Sequence, residues 1–211
     1  FSAGIDITMF MSDMSLNENL SSTPQDRREL MDLVERMQNA FTTIAKSKVP
    51  TIALAHGFCI GGATSLVSAC DIRLATKDAK FSIGETKLGL VADVGVIQRM
   101  PKIVSSGDMN ELALTGRIFD GEHAERIRFV SKAYDNSDEL FEAGEKLANE
   151  ISSNSKRIVQ ATKQALEKSS NLTIDQGLEY AKLWSTSFLV SEDLREGVMA
   201  FLEKRDPKFN E

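Results

Sequence analysis

The sequence predicts an α/β fold that ends in a helical region, and three observations support this prediction. Short apolar runs at residues 51–55, 71–75 and 80–83 have the length and composition of buried strands. Residues 62–70 lie between the first two runs and have the pattern of a short helix, and strand, helix and strand in quick succession are typical of α/β proteins. After Met109 almost every segment shows helical spacing.

The first predicted helix begins near Pro24 and ends before Pro50. Thr23 suits an N-cap, Pro24 suits the first turn, and Asp26 stands three residues after the cap. Apolar side chains then recur at intervals of four and three residues, as on one face of a helix: Leu30, Val34, Met37, Phe41 and Ile44. A proline disfavours the helical conformation for the residue before it, so we expect the helix to end before Val49.

The second half of the chain is predicted to be mostly helical. Helical spacing recurs at residues 110–114, 121–127, 137–151, 156–168, 174–189 and 192–204. Only residues 129–134 still have the pattern of a strand. We therefore expect one α/β core over residues 1–134 and a helical extension over residues 135–211. Late helices that leave a sheet often serve subunit assembly.

Composition and charge exclude several classes of protein. The 211 residues carry 25 basic and 31 acidic side chains, a net charge of −6, which disfavours a nucleic-acid partner. No apolar run approaches the roughly 20 residues that a membrane span needs. Cys59 and Cys70 lie in apolar stretches, as expected of reduced, buried thiols in an intracellular protein. His56 and His123 are too isolated to predict a metal site.

Two glycine-containing turns are candidates for close backbone approach to a ligand. The first is residues 1–6 (FSAGID), and the second is residues 57–63 (GFCIGGA), where Gly61 and Gly62 join a strand to a helix. Backbone N–H groups at a helix start are unpaired and lie at the positive end of the helix dipole, so they stabilise an anion. The alternative is that these glycines only allow the helix and strand to pack closely. Neither a dinucleotide fingerprint nor a P-loop is present.

Residues 84–95 carry two acidic side chains, Glu85 and Asp93, in an otherwise small and apolar segment. Two carboxylates in a dry pocket have raised pKa values and can transfer protons as general base and acid. The alternatives are structural. Asp93 precedes a short helical pattern and suits an N-cap, and Glu85 suits a surface ion pair with Lys87 or Arg99.

The order of these segments resembles that of the enoyl-CoA hydratase/isomerase (crotonase) superfamily over essentially the whole chain. The matching segments are FSAGID at 1–6, AHGFCIGG at 55–62, SACDIR at 68–73, KFSIGE at 80–85, LGL at 88–90, QRMPK at 98–102 and LTG at 114–116. The resemblance implies a spiral of β-β-α units with C-terminal helices that form trimers, commonly stacked as hexamers. It also implies strands ahead of residue 1, so we expect that the chain begins inside the fold.

The resemblance further implies an acyl-CoA substrate, with coenzyme A as part of that substrate and no other cofactor. The thioester enolate would be stabilised by the backbone N–H groups of Ile5 and Gly62. We expect four further residues to contact the substrate: Ala3, Gly61 and Ser65 in or near the two turns, and Met9, which follows the first turn and would line an acyl pocket as a flexible apolar side chain. Members of the family that act on fatty acyl-CoA in β-oxidation work in mitochondria or peroxisomes, and either location is compatible with this sequence.

The acidic residues distinguish activities within the superfamily. Hydratases carry one catalytic Glu where this chain has Ser65 and another at the position of Glu85, so Ser65 disfavours hydration. Asp93 is similar to the Asp of the Δ3,5-Δ2,4-dienoyl-CoA isomerases, although those enzymes usually have a third acidic residue at the position of Ser65. We therefore expect an isomerase in which Glu85 and Asp93 transfer the proton. The alternatives are a hydratase or Δ3-Δ2-enoyl-CoA isomerase, and a non-catalytic binding protein of the same fold.

Overall fold

A computed structural model describes residues 1–6 and 23–209, and it confirms the α/β class with a helical C-terminal region. The strands are β1 (Ile52–Ala55), β2 (Phe58–Ile60), β3 (Ile72–Thr76), β4 (Lys80–Ser82), β5 (Phe119–Asp120) and β6 (Lys132–Tyr134). The helices are α1 (Pro24–Ala45), α2 (Gly62–Ala69), α3 (Val96–Arg99), α4 (Ser106–Thr115), α5 (Gly121–Arg126), α6 (Ser137–Ser152), α7 (Lys156–Ser169), α8 (Ile174–Phe188) and α9 (Glu192–Glu203). Two 3₁₀ turns occupy Glu85–Leu88 and Met100–Lys102.

The strands form two three-stranded sheets. In the first, β1, β3 and β6 are parallel, with Leu54 opposite Leu74 and Ala75 opposite Ala133. In the second, β2 and β4 are parallel and β5 is antiparallel to β4, with Cys59 opposite Phe81. Because β2 precedes α2 and β4 precedes the first 3₁₀ turn, the second sheet places the Gly61–Gly62 turn and Glu85 at the same edge.

The predicted start of α1 is confirmed in detail. The Thr23 hydroxyl accepts a hydrogen bond from the Asp26 N–H at 3.2 Å, and the Asp26 carboxylate accepts one from the Thr23 N–H at 2.8 Å. Each end of this capping box satisfies a backbone donor that the helix leaves unpaired. Hydrogen bonding of the Asp26 carboxylate to the Thr23 backbone, and to a lesser extent to the Thr23 side chain, lowers the pKa of the Asp26 carboxyl.

Two strands were not predicted. β2 has three residues and β5 has two, which is too short for an alternation of apolar and polar side chains to be recognised. The predicted strand at 129–134 is shorter in the structure, because Arg128 adopts a positive φ of 66° and pairing begins only at Lys132. Phe129 and Val130 are fully buried and supply the core instead.

Aromatic packing fixes the sheet that supports the glycine turns. The ring of Phe81 on β4 stacks on Phe119 at 5.4 Å between centroids and meets Phe129 edge-on at 5.5 Å. Phe81 and Phe129 are both fully buried. Burial of such a side chain stabilises the fold by about 1.5–3 kcal/mol. The packing of Phe81 therefore holds β4, and with it the residues that follow the strand, in place.

The chain divides into two compact units. The first comprises residues 1–47 and 51–144, and the second comprises residues 48–50 and 145–211. The second unit therefore begins within α6, whereas the expected division after residue 134 stays a prediction. Helices α7, α8 and α9 of the second unit surround an apolar cavity of about 640 Å³, whose lining includes Trp184 and Phe188. In the described part of the chain, no helix has the length and hydropathy of a membrane span.

Candidate active site

The N-terminal segment runs beside β2 and brings Ile5 to the second sheet. The Ser2 N–H donates to the Phe58 carbonyl at 2.6 Å, and the Ile60 N–H donates to the Ser2 carbonyl at 3.1 Å. Gly4 has a φ of +90°, and a Cβ there would stand 2.8 Å from the Ile60 carbonyl oxygen. Only glycine permits this contact. Gly4 thus lies against Ile60, two positions before Gly62. Ile5 is the residue that follows Gly4.

The Gly61–Gly62 turn presents one unpaired backbone donor. Gly61 has φ 56° and ψ −118°, and its N–H donates to the Ser82 carbonyl at 3.0 Å. Gly62 is the first residue of α2, so its N–H has no acceptor within the helix. Within residues 1–6 and 23–209, neither the Gly62 nor the Ile5 N–H donates a hydrogen bond, and a Cβ at Gly62 would meet no atom within 4 Å. The turn can therefore bind an oxyanion without rearranging.

Buried polar side chains hold the turn in place. The Thr64 hydroxyl lies 2.7 Å from the Cys59 carbonyl oxygen and 3.0 Å from that of Ser82, so it bridges β2 and β4. The Ser82 hydroxyl donates to the Gly116 carbonyl at 3.1 Å. Cys59 is fully buried, and burial raises the pKa of its thiol to about 12. Cys59 and Cys70 form no disulfide with each other, and only Cys59 is buried; the expectation of burial is wrong for Cys70, which is half-buried.

Glu85 lies against this turn. A Cβ on Gly61 would be 3.5 Å from Glu85 Oε1, while Oε2 is buried and has no hydrogen-bond partner among residues 1–6 and 23–209. Burial raises the pKa of the Glu85 carboxyl, a backbone hydrogen bond at Glu85 itself opposes this, and the charge of Asp93 raises it further. The ion pair proposed with Lys87 or Arg99 is not formed. Arg99 donates instead to the Thr42 hydroxyl at 3.0 Å.

Asp93 lies in the segment between the first 3₁₀ turn and α3, and its side chain is exposed. The alternative role as an N-cap is wrong, because α3 begins at Val96 with Gly95 as its N-cap and without a side-chain cap. The Asp93 carbonyl accepts a hydrogen bond from Gln38 Nε2 at 2.7 Å. The charge of Asp93 contributes to the raised pKa of the Glu85 carboxyl, after burial, so the two groups are near enough to interact. A shared catalytic role for the two carboxylates stays a prediction.

The other predicted site residues have different environments. Ala3 is exposed, whereas Ser65 is fully buried and its hydroxyl has no hydrogen-bond partner in the described part of the chain. The Gly61 backbone lies close to the Glu85 side chain, but the Gly61 N–H already donates a hydrogen bond to the Ser82 carbonyl. Met9 lies outside the described residues. The roles assigned to these residues from the sequence stay predictions.

The sequence did not reveal two contacts at the site: that of Gln38 with Asp93, and that of Arg99 with Thr42. Gln38 is an exposed residue of α1, 55 positions from Asp93, and no local pattern connects the two. Among the described residues, no group of three or more His, Cys, Asp or Glu side chains is arranged to hold a metal ion. The His56 ring instead packs edge-on against Phe141, at 5.7 Å between centroids.

Comparison with known proteins agrees with this geometry. The enoyl-CoA hydratase/isomerase family matches residues 1–211. A mitochondrial Delta(3,5)-Delta(2,4)-dienoyl-CoA isomerase from Dictyostelium discoideum is 47% identical over 89% of this chain, which spans 64% of that relative's length. A peroxisomal relative of the same name from Arabidopsis thaliana is 38% identical over 99% of this chain and 75% of its own.

Solved structures share the fold. An enoyl-CoA hydratase from Bacillus anthracis superposes with a TM-score of 0.81 and 27% identity, covering 92% of this chain and 74% of that one. The order of the sequence motifs, the two glycine turns and these matches agree with one another. The chain belongs to the enoyl-CoA hydratase/isomerase family and has its crotonase fold.

Proposed function

We propose that the protein is an acyl-CoA double-bond isomerase that converts 3,5-dienoyl-CoA into 2,4-dienoyl-CoA. The observation that carries the proposal is the pair of carboxylates, Glu85 and Asp93, which interact electrostatically beside the unpaired N–H of Gly62. The names of the Dictyostelium and Arabidopsis relatives support the same activity.

The glycine turns would stabilise the charge that develops on the thioester oxygen. Removal of a proton from C2 creates an enolate, and the N–H groups of Ile5 and Gly62 are the proposed donors to its oxygen. These donors face no competing acceptor among the described residues, and Gly61 is held to Ser82, so little reorganisation is needed. Preorganised donors of this kind are often the largest single contribution to catalysis.

The two carboxylates would move one proton between the ends of the conjugated system. One carboxylate takes the proton from C2, and the electron pair of that C–H bond spreads over the oxygen and the two double bonds. The other, in its acid form, returns a proton to C6, so the double bonds shift from C3 and C5 to C2 and C4. Proton exchange with solvent then restores the starting protonation states. Two groups suit this reaction because C2 and C6 are too far apart for one short side chain.

The remaining features of the proposal concern cofactor, assembly and location. We propose that no cofactor is needed beyond the coenzyme A moiety of the substrate. A homotrimer or hexamer is supported by large apolar side chains that the second unit leaves exposed on α8 and α9, including Ile174, Leu183 and Phe201. A mitochondrial or peroxisomal location is supported by the names of the relatives.

The decisive experiment compares substrates and carboxylate variants. We expect the protein to act on 3,5-dienoyl-CoA faster than on crotonyl-CoA or a 3-enoyl-CoA. Glu85→Gln and Asp93→Asn should each lower kcat by about 10²–10⁴-fold, the usual contribution of a positioned proton-transfer group. Deuterium exchange at C2 in D₂O, followed by NMR, identifies the base, because only the variant that lacks the base loses this exchange.

Asp78→Asn provides a matched control, since Asp78 is an exposed carboxylate in the turn between β3 and β4. It should leave kcat unchanged. Full activity of both Glu85→Gln and Asp93→Asn on 3,5-dienoyl-CoA would overturn the mechanism. Faster turnover of crotonyl-CoA would instead favour a hydratase.

A further inference from the structure

The segment that carries Asp93 has little secondary structure of its own. Residues 90–93 belong to neither a helix nor a strand, and Val91 is 77% exposed. Ala92 and Val94 are buried on either side of Asp93, which turns the Asp93 side chain outward. A catalytic carboxylate must be held within a fraction of an ångström, so other elements must fix its backbone.

Helix α1 makes the first of two side-chain contacts to this segment. The Gln38 amide donates to the Asp93 carbonyl at 2.7 Å, a short and direct hydrogen bond. The carbonyl carbon and the side chain of Asp93 are attached to the same Cα. Fixing the carbonyl direction therefore restricts the direction of the Cα–Cβ bond as well.

The second contact runs through Arg99. Its guanidinium donates to Thr42 at 3.0 Å, and a Cβ at Gly95 would stand only 1.8 Å from Nη1. Arg99 therefore occupies the space that a side chain at position 95 would fill. Gln38 and Thr42 are four residues apart, so they lie on the same face of α1. Both contacts to the segment that holds Asp93 come from that face.

We propose that Gln38 is a positioning residue for Asp93, held on the face of α1 that also anchors Arg99 through Thr42. The inference rests on the proposed function, because it assigns to Gln38 the placement of a group that transfers a proton. Gln38 is exposed, and a single hydrogen bond near the surface adds little to the stability of the fold. Its loss should thus affect the reaction far more than the folding.

The test is Gln38→Met, which keeps the length of the side chain and removes the donor. We expect kcat to fall by about 10-fold, since a displacement of about 1 Å can cost up to 10²-fold, with KM changed by less than about 2-fold. Gln38→Lys restores an N–H donor and should recover most of kcat. Gln25→Met is the matched control: it replaces the same residue type on the same helix, and among the described residues the Gln25 side chain donates to Glu29, far from Asp93 in sequence. It should leave kcat unchanged.

A double-mutant cycle with Asp93→Asn separates positioning from general stability. If Gln38 acts through Asp93, Gln38→Met should cause no further loss of kcat in the Asp93→Asn background. If Gln38→Met lowers kcat equally in the unaltered protein and in Asp93→Asn, or leaves kcat unchanged on its own, Gln38 does not position Asp93. Either result would leave the two-carboxylate mechanism intact. Full activity of Asp93→Asn itself would overturn both.

Discussion

The two halves of the candidate site are built in different ways. On the Glu85 side, main-chain hydrogen bonds and the buried side chains of Cys59 and Phe81 fix the Gly61–Gly62 turn, and the Glu85 carboxylate lies against it. On the Asp93 side, the carboxylate is exposed and its backbone depends on side chains from α1 and α3. The first half is therefore robust to most side-chain changes, whereas the second can be moved by a single substitution.

This difference separates two tasks of the proposed reaction. Stabilisation of the enolate oxygen needs hydrogen-bond donors that do not move. The Gly61–Gly62 turn, which main-chain hydrogen bonds hold in place, would supply such donors. Placement of the second proton-transfer group depends on the length and shape of the acyl chain, and a segment held by side chains can be adjusted without disturbing the sheet. We expect substitutions in the two halves to have distinguishable effects.

Among the glycine substitutions, the largest effect is expected from removal of the Gly62 donor. Gly62→Pro deletes the N–H, and proline is well tolerated at the first position of a helix. A Cβ at Gly62 would meet no atom within 4 Å, so the Cα side of the proline ring has open space. We expect kcat/KM for 3,5-dienoyl-CoA to fall by about 10²–10³-fold, the usual cost of one oxyanion donor.

Gly62→Ala is the control for that prediction, because it adds a Cβ and keeps the N–H. It should retain most of the activity. If Gly62→Pro folds normally, by circular dichroism and thermal unfolding, and keeps its kcat/KM, the Gly62 N–H does not stabilise the enolate.

A smaller effect is expected from Gly95→Ala, which acts on the half held by side chains. Gly95 has a φ of +120°, and a new Cβ would collide with Arg99 Nη1. Strain of this kind costs on the order of 1–3 kcal/mol, and the Arg99–Thr42 hydrogen bond must shift. We expect kcat to fall by about 10-fold as Asp93 moves, with a lower Tm in a thermal melt.

Gly107→Ala provides the comparison for Gly95→Ala. Gly107 lies within α4, where an added Cβ makes only an ordinary contact at 3.8 Å, and alanine favours helix. Its kcat should be unchanged and its Tm equal or higher. An unchanged kcat in Gly95→Ala would show that Arg99 does not help to hold Asp93.

The smallest effect concerns stability and pH. Because burial raises the pKa of Glu85 in the folded state, the folded protein binds this proton more tightly than the unfolded chain does. Stability is therefore lost as pH rises from the ordinary glutamate range through the raised pKa. Glu85→Gln removes this cost, so its Tm at pH 7 should exceed that of the unaltered protein by about 1–3 °C.

The difference in Tm should shrink as pH is lowered toward about 4, where the Glu85 carboxyl is protonated in both states. Asp93→Asn should shift Tm much less, since the Asp93 side chain is exposed. If the Tm of Glu85→Gln at pH 7 is lower than that of the unaltered protein, burial of the Glu85 carboxylate does not destabilise the fold.

The sequence was sufficient to predict features that depend on local patterns. The capping box of α1, the strands β1 and β3 and the C-terminal helices each have a recognisable spacing. Glu85 and Asp93 attracted attention because acidic residues are unusual in a small, apolar segment. Their joint placement follows from the resemblance of the chain to one family.

Other features depend on contacts between distant residues. The hydrogen bond from Gln38 to Asp93 joins positions 55 residues apart, and an exposed glutamine on a helix carries no local signal. The alternative N-cap role of Asp93 is wrong because α3 begins at Val96, with Gly95 as its N-cap. Burial of Ser65 likewise depends on the packing of α2, which its neighbours in sequence do not reveal.

The buried thiol beneath the glycine turn has a consequence for redox chemistry. With a pKa of about 12, the Cys59 side chain is a thiolate in roughly one molecule in 10⁴ near pH 8. Alkylating agents and peroxides react with the thiolate, so Cys59 should resist both for as long as the sheet stays folded. The Gly61–Gly62 turn therefore follows a cysteine that oxidants should reach only after unfolding.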